Sequence, residues 1–74
     1  MAETVDWKQT GIKINVIRKQ LGYSIKQMAA SLFISESTLK NYLYSETPIS
    51  VETLLHIANL FCMEKAEDLL VFSK

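Results

Sequence analysis

Two apolar segments, parted by a break too short for anything but a tight turn, constrain this chain most. They lie in residues 24–43, SIKQMAASLFISESTLKNYL. Ser24 stands where a helix N-cap belongs, with Gln27 three residues on as in a capping box, and Ser35 stands the same way before Glu36, Ser37 and Thr38. Each serine predicts a helix start, and the pair predicts a helix-turn-helix. Helical periodicity places Met28, Ala29 and Leu32 on one face of the first helix, with Ala29 small enough to let another helix cross closely. In the second helix it groups Leu39, Tyr42 and Leu43, and turns Ser37, Lys40, Asn41 and Tyr44 to the other side. A polar row of that width is what a DNA major groove admits.

The flanking residues read as further helices. Thr4 is the expected N-cap of a helix running to Leu21, with Trp7, Ile14, Ile17 and Leu21 in one arc toward the core. Val5, Ile12 and Val16 fall almost opposite, an outer apolar stripe that suits a partner protein; fraying or a kink at Gly11 would reduce it to scattered surface residues. Gly22 is a C-terminal cap. Residues 45–50, SETPIS, form a surface loop, after which Ser50 caps VETLLHIANLFCM. The expected inward face of that helix is Val51, Leu54, Leu55, Ala58, Phe61 and Cys62, with Glu52 and His56 opposite. A fifth short helix, AEDLLVF, carries Leu69, Leu70 and Phe72 and must dock to exist.

With 49% apolar residues in 74, the chain has material for one compact domain over residues 1–74. Few glycines, one proline and little β-branched alternation point to an all-α class of five helices. A single cysteine, no signal-peptide pattern and no long apolar run lead to the expectation of a soluble, cytoplasmic protein with no membrane span. Net charge is zero and the sequence pI about 6.5, where a nucleic-acid binder usually leaves a basic footprint. The charges are nonetheless unevenly spread. Met1 to Tyr42 holds six Lys or Arg against three acids, Leu43 to Lys74 two against five, so the halves carry +3 and −3. The basic half contains the helix-turn-helix.

Residues 11–61 as a whole, GIKINVIRKQLGYSIKQMAASLFISESTLKNYLYSETPISVETLLHIANLF, resemble the phage-repressor helix-turn-helix family, also called XRE, Cro-like or lambda-repressor-like. The shared features are Arg18 closing the first apolar pattern, Ser24 capping the next helix, Met28 and Ala29 in the place of a Leu-Ala pair, the capped SESTL, and Leu54, Ile57 and Ala58 as the late Leu-x-x-Ile-Ala run. The resemblance implies a five-helix domain whose third helix enters the major groove, as a homodimer on a two-fold related operator. The chain departs from the pattern at Phe33, where the family has its turn glycine, and at Ile25, Ser45 and Leu43. Glu36 at the start of the third helix must accept from a cytosine amine or repel phosphate.

By resemblance the base-reading positions are Glu36, Ser37 and Asn41, and the amide of Asn41 can pair with an adenine edge through two hydrogen bonds. Ser24, Lys26, Gln27, Lys40 and Thr47 are the phosphate candidates, together with the N–H groups at the two capped helix starts. Arg18 is assigned to holding the fold through carbonyls or an acid. His56 reads as a solvated residue and Cys62 as buried filler. No carboxylate pair, phosphate loop, metal-ligand cluster or nucleophile with a base can be assembled, so neither an enzyme nor a cofactor is expected. Two functions remain. One is a sequence-specific DNA-binding regulator, a repressor acting as a homodimer on double-stranded DNA. The other is a protein-interaction module on the same fold (an antirepressor, modulator or antitoxin-like partner), suggested by the zero net charge, Ile25, Glu36 and the outer face of the first helix. Val5, Ile12, Val16, Leu70 and Phe72 are the candidate dimer or partner surface.

Overall fold

The computed structural model describes residues 4–73. In chain order they form a strand β1 (Thr4–Val5), helices α1 (Trp7–Leu21), α2 (Ile25–Leu32), α3 (Glu36–Tyr44) and α4 (Val51–Leu60), a 3-10 turn (Ala66–Leu69) and a strand β2 (Phe72–Ser73). Each helical element sends one apolar side chain fully out of solvent: Ile14 from α1, Met28 from α2, Leu39 from α3, Ile57 from α4 and Leu69 from the 3-10 turn. At about 1.5–3 kcal/mol apiece, these five, with Ala29, Leu32, Leu43, Ile49, Leu54 and Phe61 around them, are what holds the helices together. Among the described residues no buried side-chain polar atom lacks a hydrogen-bond partner.

Three of the four helices stop in the same way. After α1, α2 and α4 a residue takes left-handed φ (Gly22 at 80°, Phe33 at 58°, Cys62 at 58°). The next residue then folds back: Tyr23 N–H donates to the Arg18 carbonyl, Ile34 to Ala29 and Met63 to Ala58, each at 2.8–3.1 Å. This double-bonded termination satisfies carbonyls that the helix leaves unpaired. It also returns an apolar residue to the core, since Tyr23, Ile34 and Met63 all pack against it.

Four expectations need correction. Asp6, not Thr4, caps α1, its carboxylate accepting from Gln9 N–H at 3.0 Å. Thr4 and Val5 lie ahead of the helix in an antiparallel ribbon with Ser73 and Phe72, so a fold expected to be wholly helical contains a two-stranded sheet, and Val5 leaves the outer stripe of α1. The fifth helix is absent: residues 66–69 make one 3-10 turn, started by Lys65 without any side-chain cap. Extended pairing wins beyond it, because Asp6 N–H donates to the Val71 carbonyl at 2.7 Å and Val71 N–H to Thr10 Oγ1 at 2.9 Å. Leu69 is therefore spent on the core, Leu70 is half-buried, and only Phe72 of that trio is exposed.

The fourth correction concerns α4, which ends at Leu60 and faces inward with Thr53, Leu54, Ile57 and Ala58. Val51, Leu55 and Cys62, expected inside, are exposed. Apolar residues surround most of this helix, so periodicity alone left its orientation open; packing against α2 and the 3-10 turn sets it, and the Ser50 hydroxyl, donating to Thr53 Oγ1 at 2.9 Å, satisfies the buried Thr53. Leu21, the last residue of α1, is likewise exposed rather than buried. The helix runs unbroken through Gly11, which serves close approach instead of a kink: a Cβ there would lie 2.4 Å from the Tyr42 carbonyl oxygen of α3.

Candidate nucleic-acid interface

The position of α3 follows from both of its neighbours. Gly11 lets α1 come against the Tyr42 and Leu43 backbone, and α2 reaches α3 across three residues, Phe33 to Ser35. Leu39 and Leu43 are buried by these contacts and Tyr42 half-buried. Ser37, Lys40, Asn41 and Tyr44, within an arc of about 100° on the far side, are all exposed. This is the row the periodicity turned outward. Glu36 is exposed at its edge, in the first turn, where a carboxylate also complements the helix dipole.

The two helix starts are built as the serines indicate. Ser24 Oγ accepts from Gln27 N–H at 3.0 Å and Gln27 Oε1 accepts from Ser24 N–H at 3.0 Å, a complete capping box. Gln27 thereby commits the end of its amide that could not donate to a phosphate in any case. Ser35 Oγ accepts from Thr38 N–H at 3.1 Å and its hydroxyl donates to Thr38 Oγ1 at 2.8 Å. Ser24, Lys26 and Gln27 are exposed at the start of α2 and Lys40 on α3, whereas Thr47 in the loop before α4 is half-buried, as is Ile25.

Arg18 holds the entry to this unit and is only 8% exposed. Its Nη1 donates to the Tyr23 carbonyl at 2.6 Å and its Nε to Asn15 Oδ1 at 3.0 Å, which fixes the chain just ahead of the Ser24 cap. The expected structural role through a carbonyl is present. Asn15 as its orienting partner was missed, although its i, i+3 spacing from Arg18 was there to read. Gly11 was weighed as a kink and not as a point of close approach, and Phe33, in the place of the family's turn glycine, takes the positive φ.

The described residues contain no cavity, no grouping of His, Cys, Asp or Glu that could hold a metal ion, and no helix long and apolar enough to cross a membrane. Cys62 is exposed rather than buried, and His56 is exposed as expected.

No curated protein matches the chain. A helix-turn-helix family model matches residues 14–61, from the middle of α1 to the residue after α4, and so contains the Arg18 anchor, all three serine caps and all of α3. That is well over half of the chain, which belongs to the XRE helix-turn-helix family of DNA-binding regulators.

Proposed function

We propose that this chain is a sequence-specific DNA-binding transcriptional regulator, acting as a repressor with two copies on double-stranded DNA and α3 in the major groove. The observation that carries this reading is the exposed row Ser37, Lys40, Asn41 and Tyr44 on a helix whose other side is anchored by Leu39 and Leu43. Base-edge contacts fall to Asn41, Ser37 and Glu36. Lys40, Lys26, Gln27, Ser24 and Thr47 take the phosphates, with the α2 and α3 N-termini aiding through their N–H groups. Repression needs no more than occupancy of the site. Selection from random duplex DNA tests it: one enriched sequence is expected, with two half-sites about one helical turn apart.

A second reading is favoured by Glu36, an exposed carboxylate in the first turn of α3 that repels any phosphate brought near it, and by the exposed apolar residues of α1 and α4. On it the same fold serves as a protein-interaction module. Failure of any sequence to enrich, at low salt, decides for that reading.

A further inference from the structure

Two faces of the molecule carry exposed apolar pairs of equal spacing and opposite charge. On α1, Ile12 and Val16 are 45% and 48% exposed, and Lys8, Gln9, Lys19 and Gln20 surround them on the outer side. Residues Trp7 to Leu21 hold Lys8, Lys13, Arg18 and Lys19 and no acid at all. On α4, Val51 and Leu55 are 73% and 52% exposed, beside Glu52, His56 and Asn59. That helix has no Lys or Arg, and Glu46, Glu64, Glu67 and Asp68 flank it against Lys65 alone. The members of each pair stand four residues apart, so about 6 Å along the axis, and two helices laid side by side bring one pair onto the other.

We propose that these two faces bind each other between copies of this chain, Ile12 and Val16 of one against Val51 and Leu55 of the next, with Lys19 opposite Glu52. Both faces look to solvent, so a single molecule cannot satisfy them. The same charges work against like-on-like contact, since α1 on α1 sets lysine against lysine and α4 on α4 sets Glu52 against its own copy. A contact between unlike patches leaves one face free at each end, so it does not close at two copies and grows head to tail. Two apolar side chains from each copy make a small contact, at the weak end of specific interfaces. Adjacent sites on one DNA would supply the effective concentration it needs, a consequence that rests on the DNA-binding reading; the contact itself does not.

Sedimentation of the full chain without DNA, from micromolar to millimolar, tests the contact separately from any DNA binding. The wild type is expected to pass beyond the dimer as concentration rises and to fall back at high salt. Val16→Asp and Leu55→Asp should each stop at monomer, and an equimolar mixture should form a one-to-one pair that grows no further, because each retains the face the other lacks. A wild-type monomer at the highest concentration overturns the proposal, as does a closed dimer that the mixture fails to restore. If either variant loses helicity by circular dichroism, Lys19→Glu and Glu52→Lys take their place at exposed polar positions. Each should associate poorly alone, and the two should recover on mixing, where every α1 face finds an α4 face of opposite charge; no recovery on mixing also overturns it.

Discussion

Asn41 and Lys40 are neighbours in α3 yet stand about 100° apart around its axis, so one can meet a base edge while the other meets a phosphate. Their losses should differ in kind. Asn41→Ala is expected to cost about 1–3 kcal/mol on the selected sequence and relax preference at one base pair, leaving the salt dependence nearly unchanged. Lys40→Ala should weaken selected and random duplexes about equally and lower the salt slope by roughly one. Competition titrations of the two variants check this; equal loss on every sequence from Asn41→Ala would remove that residue from base reading. Both side chains are exposed, so neither change should disturb Leu39 or Leu43 beneath them. Phe33 raises a separate question at this scale, because a bulky side chain at left-handed φ is strained and one 88% exposed recovers nothing by burial. Phe33→Gly is therefore expected to stabilise the fold by about 0.5–1 kcal/mol, the strain removed less the entropy a glycine brings. The urea midpoint measures it, and a lower midpoint would mean the ring is held by something.

The elements outside the matched residues 14–61 form a clasp between the two ends of the chain. β1 pairs with β2, Thr10 receives the Val71 N–H, and the Lys13 ammonium donates to the Asp68 carbonyl. Thr10→Val keeps the shape and removes the acceptor, so the Val71 N–H is left without its partner at a cost of about 1–3 kcal/mol. Faster amide exchange at Val71 with a lower unfolding midpoint is the expected outcome; an unchanged midpoint would show that the clasp contributes nothing. None of this was legible in the sequence, where Thr10 is one polar residue in a helical pattern and Val71 belonged to an expected fifth helix. The helix starts were legible at Ser24, Ser35 and Ser50, because a cap is a local interaction within four residues. The outward row of α3 was legible for a similar reason: its apolar residues occupy a single side. The orientation of α4 was not, since Val51, Leu55, Ile57 and Leu60 spread its apolar character around the axis and only packing against α2 and the 3-10 turn chooses among them. The end of that helix was hidden too, because Cys62 adopts a left-handed φ that favours glycine.

For the molecule as a whole, a net charge of zero conceals two halves of opposite sign, and the basic one carries α2 and α3. Few of its cations stand near the outer row: Lys40 lies on α3 and Lys26 at the start of α2, while Arg18 is buried and Lys13 is engaged with Asp68. Phosphate contacts per copy should therefore be few, about three to five including those made by backbone N–H groups, and each should contribute roughly 0.9 to the slope of log K against log salt. The measurement that tests the account most directly is a titration of the chain against its selected duplex and a random one at two salt concentrations. The account predicts binding that prefers the selected duplex at both concentrations, with a slope of roughly three to four and a half per copy. Absence of binding to either duplex at the lower salt, or equal binding to both, would contradict it.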